Sequence, residues 1–282
     1  MTRSVANYDA YLRSEWNWIL GRLIVPVARL GEFEEAYAGL QTPLDEDGAL
    51  TNWRVSVLLG ADPAADMARL RQFNERMADG SSSRSAVIES VEVKITTAEE
   101  VRRLSRIIPA GLATYFEIPL AYCSECIRAL ADCGRRAKIR MGGETVDKFP
   151  SSESVIEFIR QCAANGADDV GPFKATAGLH HPLRSVQRLT YQPESPSGMM
   201  HGFLNVFLAA AFLRAGMTAE VAQQLLEEQS AQAFHFDLDG AAWRQHRLSR
   251  DEIAAARAGF AISFGSCSFT EPIDDLRFLR LL

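Results

Sequence analysis

Pro172-Phe-Lys-Ala-Thr-Ala-Gly-Leu-His-His-Pro-Leu-Arg184 decides how this chain is read. It predicts a short buried strand, Phe173 to Ala177, that runs into a loop carrying two adjacent histidines. A lysine sits inside the strand. Strands of a parallel sheet are covered on both faces and are almost wholly apolar, so a lysine there needs a reason.

Working outward, seven more apolar runs are separated by helical patterns. They are Leu23 to Val27, Arg54 to Leu59, Val87 to Ile95, Thr114 to Leu120, Ala137 to Met141, Phe234 to Leu238 and Phe260 to Phe264. A leading helix is expected within residues 5–20, where Tyr8, Tyr11, Leu12, Trp16 and Ile19 recur at helical spacing. Asp62 followed by Pro63 predicts the start of a helix over 63–78. Thr97 with Glu100, and later Ser249, predict further helix starts. Residues 41–51 read as a turn-rich linker and Gly80 to Arg84 as a flexible connection. An insertion over 180–200 is rich in Pro, Ser and Gly. It precedes an apolar helix, 201–215, whose Phe203 to Leu213 stretch reads as core.

Strand and helix alternate, and no antiparallel hairpin is evident between them. Parallel pairing is therefore expected. Eight such units in about 250 residues match a (β/α)8 TIM-type barrel with an extra N-terminal helix. The domain would be single, 1–282, with 1–21 as the leading helix. An open doubly wound sheet is the alternative. No Gly-x-Gly-x-x-Gly follows the first strand, which argues against a dinucleotide version.

The totals bound the function. A hydrophobic fraction of 47% with 23% charged residues is that of an ordinary globular protein. The net charge of −6 argues against a nucleic-acid partner. No apolar run is long enough to span a bilayer, and Met1 to Ala10 lacks the apolar core of a signal peptide. No membrane association and a cytoplasmic location are expected, and a homo-oligomer is compatible. The five cysteines need no disulfides in so large a chain. Cys123, Cys126 and Cys133 have a spacing that invites a metal, but no second pair completes a tetrahedral site, so thiol packing on a helix is the expectation.

Polar and charged residues recur two apart along the expected strands, hence on one side of each. They are Glu92 and Lys94, Tyr115 and Glu117, Lys138 and Arg140, Lys174 and Thr176, and His235 and Asp237. Buried charges must be paired or wet. The C-terminal mouth of a barrel, where active sites sit, meets that need. A structural salt-bridge network is the alternative.

Lys174 is the candidate nucleophile, because a lysine desolvated beside other cations is activated, and Lys138 and Arg140 would be those cations. Glu117, His180 and His181 would move protons, with Lys138 in support. Lys94, Arg140, Thr176, Arg184 and Asp237 would contact an anionic substrate. Gly265 and Ser266, with Ser268, suit a phosphate at a helix start, or form an ordinary serine-capped turn. Gly142-Gly143 offers a second close backbone approach. His201 is a lesser candidate. The histidines also suggest a metal with Glu117, Asp237 and His235, but the cations at the same mouth oppose it, so no metal and no cofactor are expected.

With these residues in hand, Phe173-Lys-Ala-Thr-Ala-Gly178 resembles the strand-six motif of class I aldolases of the deoxyribose-phosphate aldolase type. The resemblance implies a barrel and a Schiff base between Lys174 and a substrate carbonyl. That family has a lysine on strand seven, where this sequence has His235 and Asp237, and an aspartate on strand four, where this one has Glu117. Lys174 to Arg184 and His201 to Ala211 also resemble stretches of a bacterial barrel family without an assigned activity. The expectation is a lyase or aldolase-type enzyme acting on a small anionic carbonyl compound, including a phosphorylated one. Alternatives are a metal- or cation-assisted enolising isomerase or dehydratase, and a non-catalytic anion-binding barrel.

Overall fold

The structure, a computed structural model, describes residues 1–40, 53–79, 85–164 and 171–282. The linker expected at 41–51 and the connection at 80–84 lie outside them. The chain forms two compact units, Met1–Ile95 with Glu99–Phe116, and Thr96–Ala98 with Glu117–Leu282.

The first unit opens with helix α1 (Thr2–Leu12). The expected helix over 5–20 therefore stops early, and only a short 3₁₀ turn, Asn17–Ile19, follows. Then come β1 (Leu23–Pro26), α2 (Leu30–Ala38), β2 (Trp53–Leu58), α3 (Pro63–Ala78), β3 (Ala86–Lys94), α4 (Ala98–Ile107) and β4 (Ala113–Glu117). Asp62 caps α3 as expected: its side chain accepts from the Ala65 amide, with Pro63 in the first turn. The β1–β2 and β2–β3 pairs are parallel, with Val25 beside Val57 and Val57 beside Val91. Helix faces meet this sheet through an aromatic cluster. The Trp53 ring lies 4.8 Å from Tyr8 and 4.9 Å from Tyr37, and Phe33 stacks on Tyr37 at 5.5 Å. Tyr8 donates its hydroxyl to the Gly21 carbonyl, which satisfies a phenol that burial would otherwise strand.

The second unit begins at Glu117, the last residue of β4. It continues with α5 (Cys123–Asp132), β5 (Arg136–Arg140), α6 (Ser152–Ala164) and β6 (Phe173–Thr176). Then come β7 (Ser185–Arg188), β8 (Ser197–Met200), α7 (Phe203–Arg214), α8 (Ala219–Leu226), β9 (Phe234–Asp237), β10 (Gly240–Trp243), β11 (His246–Ser249), α9 (Arg250–Gly259), β12 (Ala261–Gly265) and α10 (Thr270–Phe278). The parallel sheet has seven strands. Four run in the order β1-β2-β3-β4, and three, in the second unit, in the order β5-β6-β12.

Two expectations fail in the second unit. Phe234 to Leu238 is not a seventh parallel strand. It forms β9, the edge of a three-stranded antiparallel sheet with β10 and β11. Nor is the chain free of antiparallel hairpins between the parallel strands, since β7 and β8 pair antiparallel within the insertion at 180–200. The reason is turn chemistry that outweighs strand–helix alternation. Leu238-Asp239 links β9 to β10, and Asp237 Oδ1 accepts from the Asp239 and Gly240 amides, which folds the chain back. Gly240 has φ 154°, and a Cβ there would run into the Leu248 carbonyl. The β12 strand then pairs directly with β6, with Ser263 beside Lys174 and Gly265 beside Thr176.

Phe173 anchors this unit at 0% exposure, edge-on to Phe158 at 5.4 Å and to Phe260 at 5.2 Å. The α7 helix is buried over most of its length, as its composition predicts. Ser249 and Glu252 form a reciprocal capping box at the start of α9. Cys123, Cys126 and Cys162 are buried, and burial pushes the Cys123 thiol up to about 12. Among the described residues, no group of three metal-binding side chains is found, and no helix is long and apolar enough to cross a membrane.

Candidate active site

The site is built on the C-terminal half of β6 and the loop after it. Register places Lys174 directly beside Lys138 on β5 and beside Ser263 on β12. Parallel partners at one register level project to the same face, so these three side chains share one side of the sheet. Lys174 is 6% exposed and Lys138 is 7% exposed. The Nζ of Lys138 lies 2.9 Å from Oε2 of Glu117, also buried. A buried ammonium beside a buried carboxylate at that distance is the pairing that such charges require. Thr176 is buried one pleat further along, beside Arg140, which is exposed.

Beyond Thr176 the chain turns sharply. Ala177 and Gly178 both take left-handed conformations, at φ 63° and 70°. Gly178 approaches Gly142 so closely that a Cβ would sit 3.0 Å from the Gly142 Cα. This is the close approach that Gly142-Gly143 permits. For Ala177 the left-handed region costs about 1 kcal/mol, a strain held by its surroundings. The turn delivers His180 and His181 to the start of α10.

There the two histidines take different partners. His181 Nδ1 is 2.6 Å from Asp275 Oδ2. His180 Nδ1 is 3.1 Å from Ser266 Oγ and 3.5 Å from Glu271 Oε2. The Sγ of Cys267, an exposed residue, lies 3.6 Å from His180 Nδ1 and 3.7 Å from His180 Nε2. A linear contact to one nitrogen would leave the other much farther away. The sulfur therefore lies against the imidazole without aligning on either N–H. Tyr191, from the turn between β7 and β8, has its Oη 3.4 Å from the same sulfur and donates to Glu271 Oε2 at 2.8 Å.

The electrostatics follow from this packing. His180, packed against the sulfur, holds the Cys267 thiol below its ordinary value, with Tyr191 helping, while burial and the Glu271 charge oppose. The thiol and the Glu271 carboxylate in turn hold His180 above its ordinary value. Burial and the same two neighbours push the Tyr191 phenol up, so it keeps its proton.

The other expected contacts are placed elsewhere. Arg184 donates from Nη1 to Ser152 Oγ at 3.2 Å and lies 3.3 Å from His201 Nδ1. His201 Nε2 lies 2.8 Å from the Pro150 carbonyl. Burial lowers His201, so the neutral ring donates from Nε2 and accepts at Nδ1. Ser266 is engaged with His180, and Ser268 Oγ accepts from the Glu271 amide in the first turn of α10. Gly265 lies beside Thr176.

Asp237 and His235 are not on the parallel sheet. They sit exposed on β9, where Asp237 pairs with Arg247. This corrects the expected seventh-strand acid and the proposed metal set that used it. Lys94 is exposed at the end of β3, in the first unit. Glu92 is buried there and accepts from Ser56 Oγ at 3.2 Å.

Sequence reading passed over Cys267, Tyr191, Glu271 and Asp275. The only local signal was the Gly265-Ser-Cys-Ser268 turn between a strand and a helix. The separation of His180 from Cys267, 87 residues, hides their partnership. No protein-family model matches the chain, and comparison with curated proteins finds no significant match.

Proposed function

We propose that the protein is an enzyme acting on a small anionic carbonyl compound, including a phosphorylated one, by lyase or aldolase-type chemistry through an imine on Lys174. The observation that supports this reading is the placement of Lys174. It is a buried lysine beside the Lys138–Glu117 ion pair, on a strand whose following loop carries two histidines. In this reading the amine attacks the carbonyl carbon and water leaves. Glu117 and His180 or His181 carry the protons, Lys138 supports the charge, and Arg140 and Thr176 approach the anionic group. The (β/α)8 architecture belongs to the same proposal, supported by the order of the seven parallel strands. A homo-oligomer is compatible with it.

The test is intact mass after incubation with small aldehydes, ketones and keto acids plus borohydride. A stable adduct on the wild type that Lys174→Ala lacks is the expected result. The absence of any adduct across the panel would overturn the imine and favour the enolising alternative, in which cations or a metal stabilise the charge instead.

A further inference from the structure

We propose that Cys267 is a second reactive centre: a thiolate, stabilised by the adjacent His180 imidazolium, that adds reversibly to the carbonyl carbon of a small aldehyde. The geometry carries it. One exposed sulfur is flanked by an imidazole at 3.6 Å and by a phenol hydroxyl at 3.4 Å. Glu271 Oε2 lies 3.5 Å from His180 Nδ1 and accepts from that phenol at 2.8 Å. Thiol, imidazole, phenol and carboxylate therefore converge from three separate segments: the loop after β6, the β7–β8 turn and the start of α10. An inert structural cysteine has no use for such neighbours, and the buried Cys123 and Cys162 lack them, with thiols pushed up by burial.

The step balances without an oxidant. The thiolate pair forms the C–S bond, and the π pair of the C=O bond moves to oxygen. That oxygen takes the proton held on His180, giving a neutral hemithioacetal. Reversal returns the proton to the imidazole. The titratable groups facing Cys267 among the described residues are His180, Tyr191 and Glu271. His180 and Tyr191 favour the thiolate, and Glu271 opposes it directly while holding the imidazolium in place. The aldehyde class rests on the carbonyl-handling reading above, but Lys174 takes no part in this step.

The test is alkylation of Cys267 by iodoacetamide, followed by peptide mass mapping across pH. At pH 7 Cys267 is expected to react about tenfold faster than N-acetylcysteine, as a low-pKa thiolate does. The midpoint of its pH profile should fall below that of the free thiol. His180→Gln should return both rate and midpoint to the reference. Glyoxylate should slow the labelling in the wild type and equally in Lys174→Ala, at concentrations at least tenfold below those that protect N-acetylcysteine. A wild-type profile matching the free thiol would overturn the proposal without recourse to any variant. Fast labelling with no glyoxylate protection would overturn the assignment to carbonyl addition. Protection that persists in Lys174→Ala while borohydride trapping fails would leave Cys267 standing and remove the imine on Lys174.

Discussion

Lys138 Nζ lies 2.9 Å from Glu117 Oε2, and both side chains are about one-tenth exposed. The pair joins the last residue of β4 to the middle of β5 and sits beside Lys174. Each charge makes the burial of the other tolerable. Glu117→Gln should therefore destabilise the protein by about 3–5 kcal/mol, because a buried ammonium loses its carboxylate. Urea unfolding measures this. Replacing both residues by apolar ones of similar volume should recover most of the loss, and a double variant as unstable as the single one would contradict the argument.

His180 and His201 should act in opposite directions across one pH range. His180 is raised by its contacts with Cys267 and Glu271, so its contribution is full below its unfolded value. It fades as pH rises through its folded value. His201 is lowered, chiefly by burial, so the unfolded chain takes up the proton more readily. Stability is then lost as pH falls below the unfolded value and levels off beneath the folded one. Urea midpoints at pH 5 and pH 8 separate the two. His201→Asn should narrow any loss at pH 5, and His180→Gln should remove a gain there.

Asp237 is held at about 2, below its ordinary 3.8, mainly by its hydrogen bond from Arg247. Its contribution is present above the ordinary value and lost as pH falls through about 2. Because the group is exposed, the effect belongs to local order in β9 to β11 and is screened by salt. In Arg247→Ala the carboxyl titration, followed by NMR, should move up toward the ordinary value.

Phe173→Ala should cost about 3–5 kcal/mol, since it empties a fully buried aromatic site between Phe158 and Phe260. Because Phe173 precedes Lys174, Phe173→Leu is the informative companion. It should cost much less stability, yet lower the borohydride-trapping yield if the strand's fit positions the lysine.

Much of the fold was legible in local patterns. Apolar runs and caps marked β1 to β6, β12 and most helices, and Asp62 and Ser249 cap α3 and α9 where the sequence predicts. Misreadings arose where turn chemistry competed with alternation. The Leu238-Asp239 turn, held by Asp237 Oδ1 accepting from the Asp239 and Gly240 amides, folds Phe234 to Asp237 into a hairpin and takes His235 and Asp237 off the parallel sheet.

The sequence by itself determined the runs that become the parallel strands, most of the helices, and that polar and charged residues recur two apart along several strands. These follow from steric propensity and side-chain alternation, which act between near neighbours in the chain. Only the tertiary structure decided which charges meet. Register on the sheet brings Lys138 beside Lys174, and the left-handed turn at Ala177 and Gly178 brings His180 to Cys267. Contacts across 87 residues depend on how strands pair and loops close, and no local pattern encodes that.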